Sequence, residues 1–197
     1  MALPLALLPA LRQGGASLTE LLDLRRSCRE FADEPLAPEA LGQCLWAAQG
    51  RNAHRRRTSP SAGALYPLEV YSVTAEGMAH YDSANHRLQP HLRRDLREAL
   101  ARAALGQMFI AIAPLTIVLC AVFARVEVRY GKKRGERYTL IEIGHAAQNV
   151  LLQAQALGLG SVPVGAFEDS EVMAVLELPA DHVPLYLLPI GHPGPAA

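Results

Sequence analysis

The sequence predicts one α+β domain in which helices pack against a mixed or antiparallel sheet. Its 197 residues, half of them hydrophobic, are enough to bury a core. Predicted helices and strands alternate irregularly, whereas a doubly wound parallel sheet needs regular β-α-β alternation. A turn-like segment at residues 82–85 indicates a hairpin. We expect residues 1–16 to be an N-terminal extension and residues 17–197 to form the domain.

Two helices are predicted before residue 50. Residues 17–20, Ser-Leu-Thr-Glu, have the capping-box pattern that begins a helix. Pro38 fits the first turn of the second helix, which ends at Gly50. The apolar faces carry Leu18, Leu21 and Leu22 in the first helix and Leu41, Leu45 and Ala48 in the second.

The middle of the chain contains the predicted strands. Leu68–Thr74 alternates apolar and polar residues, which is typical of a half-buried strand. The hairpin turn at residues 82–85 follows, and a charged helix is expected over roughly residues 92–104. Leu115–Phe123 is continuously apolar and rich in β-branched residues, which predicts a buried central strand.

The last third of the chain begins with a basic stretch at residues 125–137, which we expect to be a mobile excursion. A long helix follows over about residues 138–157 and ends at Gly158 and Gly160. The remaining predictions are a strand at Ser161–Val164, a helix near 170–177 capped by Asp169 or Ser170, and a strand at Leu185–Ile190.

Composition excludes several classes of protein. Nineteen basic residues balance nineteen acidic ones, so the chain offers no general attraction for nucleic acid or anionic lipid. Its three cysteines form no C-x-x-C pair and indicate neither a disulfide framework nor a zinc site. The apolar segment Met1–Leu11 lacks a basic region and is broken by prolines, unlike a signal peptide. We therefore expect a cytoplasmic protein without membrane or nucleic-acid partners.

Motifs for common chemistries are also missing from the sequence. The nucleophile elbow, the phosphate loop and the HExxH zinc motif do not occur. Gly158 and Gly160 follow a helix, and Pro163 stands where a dinucleotide fingerprint needs its third glycine. Glu142 and His145 have the spacing of half a di-iron site, but no second half exists, so no metal is expected. His145 and Asn149 are expected instead to form hydrogen bonds in the core or at a helix contact.

A basic segment directly after the first predicted helix is the strongest indication of a ligand. Arg25, Arg26, Ser27 and Arg29 bring three guanidinium groups and a hydroxyl within five residues. Such groups bind phosphate through charge-assisted hydrogen bonds. The alternative is a solvated basic helix end, where arginines complement the helix dipole.

Two further segments have the small residues that let backbone approach a flat ligand. Residues 59–64, Ser-Pro-Ser-Ala-Gly-Ala, precede a strand, and the alternative is a plain turn. Residues 161–167 end a short strand with Gly165, whose amide can face a ligand atom without a side chain in the way. A tight turn is the alternative there.

Taken in order, these motifs resemble the flavin-dependent nitroreductase superfamily, most closely its SagB-type dehydrogenase branch. The likeness spans roughly residues 18–193. It is carried by the segments at 25–31, 45–50, 60–71, 81–88, 105–107, 137–160, 164–167 and 189–191.

The resemblance implies the nitroreductase fold in an intertwined homodimer, with two FMN molecules at the dimer interface. Arg25, Arg26, Ser27 and Arg29 would bind the FMN phosphate and ribityl chain. Against the isoalloxazine, the other subunit would supply Pro60, Ser61, Ala62 and Gly63. Gln107 would reach the pyrimidine edge, and Val164 and Gly165 would lie along the ring, with the Gly165 amide near N5.

The implied reaction is ping-pong reduction of a small nitroaromatic or quinone by NAD(P)H. The flavin does the redox chemistry, so no catalytic side chain is named. One alternative is a peptide azoline dehydrogenase, with Tyr138 and a neighbouring Lys132, Lys133 or Arg137 as the base. Another is a flavin-binding protein without turnover.

The sequence departs from the family pattern twice. Many members have a basic residue after the last strand, where this chain has only His192, so more of the phosphate affinity would rest on the N-terminal arginines. Ala166 stands where a second glycine is common, and its methyl group would narrow access to N5.

Overall fold

Seven strands form one sheet in the structure, a computed structural model that describes residues 4–13 and 15–195. In chain order they are β1 (Leu5–Ala6), β2 (Leu68–Thr74), β3 (Gly77–Asp82), β4 (Arg87–Leu92), β5 (Leu115–Ala121), β6 (Gly160–Ser161) and β7 (Val183–Gly191). The order across the sheet is β1-β4-β3-β2-β5-β7-β6, and all neighbouring strands are antiparallel. The predicted α+β class with an antiparallel sheet is confirmed.

Helices cover both faces of this sheet. They are α1 (Leu18–Leu24), α2 (Pro38–Gln49), α3 (Arg97–Ala103), α4 (Phe109–Ile112), α5 (Ala124–Tyr130), α6 (Lys132–Ala156) and α7 (Asp169–Val175). On one face α2 and α6 pack on the β5 residues Ile117 and Leu119. On the other face α3, α4 and α7 pack around Val118 and Cys120. Because both faces are covered, β2 is largely buried rather than half-buried as predicted.

Local signals fixed the first two helices as expected. The Ser17 hydroxyl accepts a hydrogen bond from the Glu20 N–H at 3.2 Å, which confirms the cap of α1. Pro38 lies in the first turn of α2, and the N–H of Gly50 donates to the Trp46 carbonyl at the other end. The hairpin turn between β3 and β4 is also confirmed.

Residues 125–137 were predicted to be a mobile segment, but they form most of a helical hairpin. Helix α5 ends at Tyr130, Gly131 turns the chain with φ +73°, and α6 begins at Lys132. Val126 is buried beneath this hairpin. A Cβ added to Gly135 would lie 3.1 Å from the Glu127 backbone, so the two helices touch closely at a residue that looks unfavourable for a helix.

Other boundaries moved for local reasons. The charged helix begins only at Arg97, because β4 continues to Leu92. Helix α7 begins at Asp169 with Glu168 before it, so neither predicted side-chain cap is used. The strand expected at Ser161–Val164 shortens to Gly160–Ser161, since Pro163 has no N–H to donate, and Val164 pairs separately with Leu187.

The N-terminal segment packs on the domain. Leu5–Ala6 pairs with β4, and the Leu11 N–H donates to the Gln43 side chain at 2.9 Å. Residues 1–3 and 14 of the predicted extension, and residues 196–197 of the predicted domain, lie outside the described residues. In the described part of the chain, no helix is both long enough and apolar enough to cross a bilayer.

Candidate functional site

The arginine segment leaves the end of α1 and is held at one edge of the sheet. The Arg25 N–H donates to the Leu21 carbonyl, and the backbone then becomes extended. Ser27 forms a parallel bridge with Ser161, and the Cys28 N–H donates to the Ser161 carbonyl at 3.0 Å. The ion pairs found among the described residues include none of Arg25, Arg26 and Arg29. Their guanidinium groups are therefore available to an anion.

The second predicted element is the loop after Val164. Val164 exchanges two backbone hydrogen bonds with Leu187, at 2.8 and 3.0 Å. Gly165 is exposed, and its N–H makes no hydrogen bond among those found for the described residues. The Gln107 amide nitrogen donates to the carbonyls of Ala166 and Ala104 at 2.8 and 2.9 Å. Gln107 thus holds this loop in place with its nitrogen.

These two elements lie in one neighbourhood. Ser161 links the arginine segment to the chain that leads into Val164 and Gly165. The Arg29 guanidinium also lies 5.9 Å from the centre of the Phe109 ring, two residues beyond Gln107. The structure therefore brings together the predicted phosphate residues and the predicted residues at the ring edge.

The third predicted element, residues 60–63, is fixed by buried polar side chains beside it. Gln49 donates to the Ser59 hydroxyl at 2.7 Å, and Ser59 donates to the Ala48 carbonyl at 3.1 Å. The Ser61 hydroxyl accepts from the Tyr66 N–H at 2.9 Å. Pro60 is exposed, and Ala62 begins a single 3₁₀ turn that ends at Ala64.

The side-chain ends of two α5 residues lie beside Gly63. Its φ is +61°, a conformation that favours glycine. An added Cβ would lie 2.8 Å from the Tyr130 hydroxyl and 3.0 Å from the Arg129 guanidinium. Tyr130 in turn packs edge-to-face on Tyr138, with ring centres 5.1 Å apart. The α5–α6 hairpin is therefore part of the surroundings of this loop.

Glu142 of α6 is the buried acidic group beside the same loop. Its side chain is only 2% exposed. Burial raises the pKa of Glu142 to about 7, against the smaller lowering effects of Ser61 and Gln49. Gln49 approaches Oε1 at 3.4 Å, whereas Oε2 has no hydrogen-bond partner in the described structure. A buried carboxyl with one unsatisfied oxygen favours the protonated form.

The expected role of the neighbouring histidine is not seen. His145 is exposed, so placement in the core is wrong for it, while Asn149 is half-buried. The reason is that His145 points away from the face that carries Ile143 and Ala147. No group of three or more His, Cys, Asp or Glu side chains is placed to hold a metal within the described ranges.

Residues 60–63 and the arginine segment lie at opposite ends of the sheet, while Val164 pairs with Leu187 opposite Val118 in the middle of β5. Residues 60–63 lead into Leu68, which pairs with Ala121 at one end of β5. Ser161 pairs with Ile190, which pairs with Leu115 at the other end. Six residue steps along a strand span about 20 Å. No hydrogen bond found among the described residues joins the two groups.

Two cavities in the chain contain none of the predicted residues. One of about 590 Å³ lies over β2–β4 beside the N-terminal strand and is lined by Leu36, Met78 and Leu92 among others. The other, of about 390 Å³, is lined by Leu21, Trp46 and Asn149 among others. Of the predicted residues, Gly63 and Gly165 are exposed, whereas Val164 is buried.

Comparison with known proteins shows the class to which this fold and these surfaces belong. The family model described as "Nitroreductase family" matches residues 22–192. The chain belongs to the nitroreductase family, and its enzyme class is that of the family's oxidoreductases.

Individual relatives agree with this assignment. A Methanocaldococcus jannaschii protein named as a nitroreductase is 43% identical over 88% of this chain and 90% of its own length. The FMN reductase [NAD(P)H] of Bacillus subtilis is 27% identical over 85% of this chain and 62% of its own. A Ralstonia eutropha crystal structure described as a nitroreductase superposes with a TM-score of 0.89 at 30% identity, covering 98% of this chain and 90% of the other.

Two features of the site were missed by sequence reasoning. The approach of Arg129 and Tyr130 to Gly63 was hidden because residues 125–137 were expected to be irregular. Glu142 was considered only as a metal ligand, although a carboxylate on the apolar face of a long helix signals a buried acid.

Proposed function

We propose that this protein is an FMN-dependent oxidoreductase that uses NAD(P)H to reduce a small nitroaromatic or quinone. The proposal rests on one observation: three arginines lie in the same neighbourhood as the Gly165 N–H. Among the described residues, the arginines form no ion pair and this N–H donates no hydrogen bond. Guanidinium groups and a hydroxyl suit the phosphate of FMN. An unused N–H suits the acceptor nitrogen of a flavin ring. The groups present therefore fit this cofactor.

The proposal includes a homodimer with FMN at its interface. Residues 60–63 and the arginine segment lie at opposite ends of the sheet, which supports a site to which each copy supplies one of the two groups. A second copy would supply the missing group to each site. Exposed apolar side chains support pairing through helices: Leu18, Leu22 and Leu24 on α1, and Leu140 and Ile141 on α6, are each 47–63% exposed.

Each side chain then has a defined task. Arg25, Arg26, Ser27 and Arg29 bind the phosphate end. Gln107, whose nitrogen is already used by the backbone, offers its amide oxygen to an N–H at the pyrimidine edge. Gly165 donates its N–H toward the ring, which stabilises negative charge there. FMN supplies the two-electron redox chemistry when bound.

The partner's loop equivalent to residues 60–63 completes the site. Its small residues allow the backbone to lie close to a flat ring, and the buried Ser59 and Gln49 hold it rigidly. No side chain of this chain is assigned a proton-transfer step in the reductase reaction.

The deciding experiment is anaerobic mixing of the purified protein with NADH or NADPH. We expect a yellow protein with one FMN per chain, whose visible flavin absorbance bleaches rapidly and returns when a quinone or nitroaromatic is added. A colourless protein that takes up no FMN on reconstitution would refute the proposal.

A second candidate function, peptide azoline dehydrogenase, is favoured by the tyrosine pair. Tyr138 packs on Tyr130 beside Gly63, with Arg137 adjacent in sequence. A phenol among cations is a candidate proton acceptor when hydride leaves a carbon. Bound FMN that resists NAD(P)H but is bleached by an azoline peptide would favour this reaction. Resistance to both would favour a flavin-binding protein without turnover.

A further inference from the structure

The α5–α6 hairpin carries a strongly basic surface that FMN binding does not explain. Residues 125–137 contain six basic and two acidic residues, including the only two lysines of the chain. Arg125 pairs with Glu69. The ion pairs found among the described residues include none of the other five. We call these five exposed residues the basic corner: Arg129, Lys132, Lys133, Arg134 and Arg137.

This arrangement costs helix stability. Lys132, Lys133 and Arg134 occupy the first turn of α6, which contains no acidic residue. Cations at a helix N-terminus oppose the helix dipole, and neighbouring like charges repel. Lys132, Lys133 and Arg134 therefore do not stabilise α6, and an anionic ligand would relieve their repulsion.

The basic corner lies near the end of the proposed flavin site that holds the ring, not the end that holds the phosphate. Arg129 and Tyr130 lie against Gly63 in the loop proposed to pack on the flavin ring. Arg25, Arg26 and Arg29 lie at the other end of the sheet and already account for the cofactor phosphate. A ligand bound at the basic corner would therefore have its anionic groups next to the ring end of the flavin, on the side away from the cofactor phosphate.

We propose, building on the function above, that the basic corner binds the phosphates of the reduced pyridine dinucleotide, with NADPH preferred over NADH. A nicotinamide at the ring places its pyrophosphate outside the ring's edge, where cations are needed. Five cations exceed the two charges of a pyrophosphate, and the additional ribose phosphate of NADPH uses the excess. A quinone or nitroaromatic has no phosphate and gains nothing from this surface.

The test is an equilibrium titration that needs no turnover. Purified holoprotein is titrated calorimetrically with NADP⁺, NAD⁺ and nicotinamide riboside at low and high salt. We expect affinity to fall in that order, and salt to weaken NADP⁺ binding most. In Lys132→Glu/Lys133→Glu, NADP⁺ affinity should fall about tenfold while riboside binding and FMN content stay unchanged.

A control variant makes the same change in net charge, two cations replaced by two carboxylates, at a site away from the basic corner. Arg93→Glu/Arg102→Glu reverses two exposed arginines near and on α3, in the other helical layer, and also breaks the ion pair of Arg102 with Glu98. It should bind NADP⁺ like the unmodified protein. Equal losses in both double variants, or no loss in Lys132→Glu/Lys133→Glu, would overturn the proposal.

Two outcomes separate this inference from the proposed function. If NADP⁺ binds through the basic corner but NADPH does not bleach the flavin, the site stands and the reductase reaction fails. If NADPH bleaches the flavin while the lysine variant loses nothing, the reductase stands and this site fails. Binding of an acidic peptide to the basic corner, with no NADP⁺ binding, would also refute it.

Discussion

Two exposed basic regions of this molecule, residues 25–29 and the basic corner, differ in backbone and in neighbours. The first is extended chain tied to Ser161 at the sheet edge. The second belongs to a helical hairpin packed against Gly63. Both lack ion pairs among the described residues. Arginine content alone would predict the same ligand for both regions, whereas their different neighbours are the basis for proposing a cofactor phosphate at the first and a dinucleotide phosphate at the second.

The largest expected effect concerns the first region. Arg25→Ala/Arg29→Ala should weaken FMN binding on the order of a hundredfold, because each charge-assisted hydrogen bond contributes about 1.5–3 kcal/mol. FMN affinity is measured by fluorescence titration of the apoprotein, and the fold is checked by circular dichroism. Surface arginines seldom carry stability, so the thermal midpoint of the apoprotein should not move. Full FMN occupancy in this variant would contradict the proposal that residues 25–29, and not the basic corner, bind the cofactor phosphate.

Gly63→Ala should disturb the contact between residues 60–63 and the α5 side chains of Arg129 and Tyr130. The new methyl group strains a left-handed backbone and displaces the side-chain ends of Tyr130 and Arg129, so we expect the free energy of unfolding to fall by about 1–2 kcal/mol. Urea denaturation measures it. The matched control is Gly106→Ala, with φ +74° and no atom within 4 Å of the added Cβ, which should cost only about 1 kcal/mol. Equal losses would show that α5 does not press on the loop.

Glu142→Gln tests the buried acid behind that loop. The folded pKa is raised from 4.5 to about 7, so the folded state binds more protons than the unfolded state between these values. Glu142 therefore stabilises the fold below pH 4.5, and this stability, on the order of 2 kcal/mol, is lost as the pH rises to about 7.

Denaturation series at several pH values would measure this dependence. The uncharged glutamine should flatten the curve and leave the variant more stable than the parent above pH 7. Glu136→Gln, at an exposed position of the same helix, is the control and should preserve the slope. A slope that persists in Glu142→Gln would assign it to another group.

The smallest expected effect is at the helix that precedes the arginine segment. Ser17→Ala removes the hydroxyl that caps α1, which costs about 1 kcal/mol locally. Because α1 buries none of its residues in one chain, global stability should barely change. Faster hydrogen exchange at the Glu20 amide would report the fraying. FMN affinity should fall less than threefold, roughly, since Ser161 still anchors the segment. A large loss would mean that α1, rather than the sheet edge, positions the arginines.

Features set by neighbouring residues were predictable from the sequence. Ser17, Pro38 and Gly50 determine where helices begin or end through contacts within four residues. The turn at residues 82–85 and the apolar strand from Leu115 were found for the same reason.

What escaped prediction depends on contacts between distant parts of the chain. Gly135 is a poor helix former, and its place in α6 is explained only by the close approach of Glu127. Glu142 acquires its raised pKa from burial beside Gln49 and Ser61, which are far from it in sequence.

The brevity of β1 and β6 has a consequence for how copies of this protein meet. In the described sheet both margins are strands of two residues, so few main-chain groups remain open to another strand. Margins this short resist the lateral sheet growth that leads to aggregates. Lengthening either edge strand by design would allow association through strand pairing. Association through the exposed leucines of the helices would be unaffected.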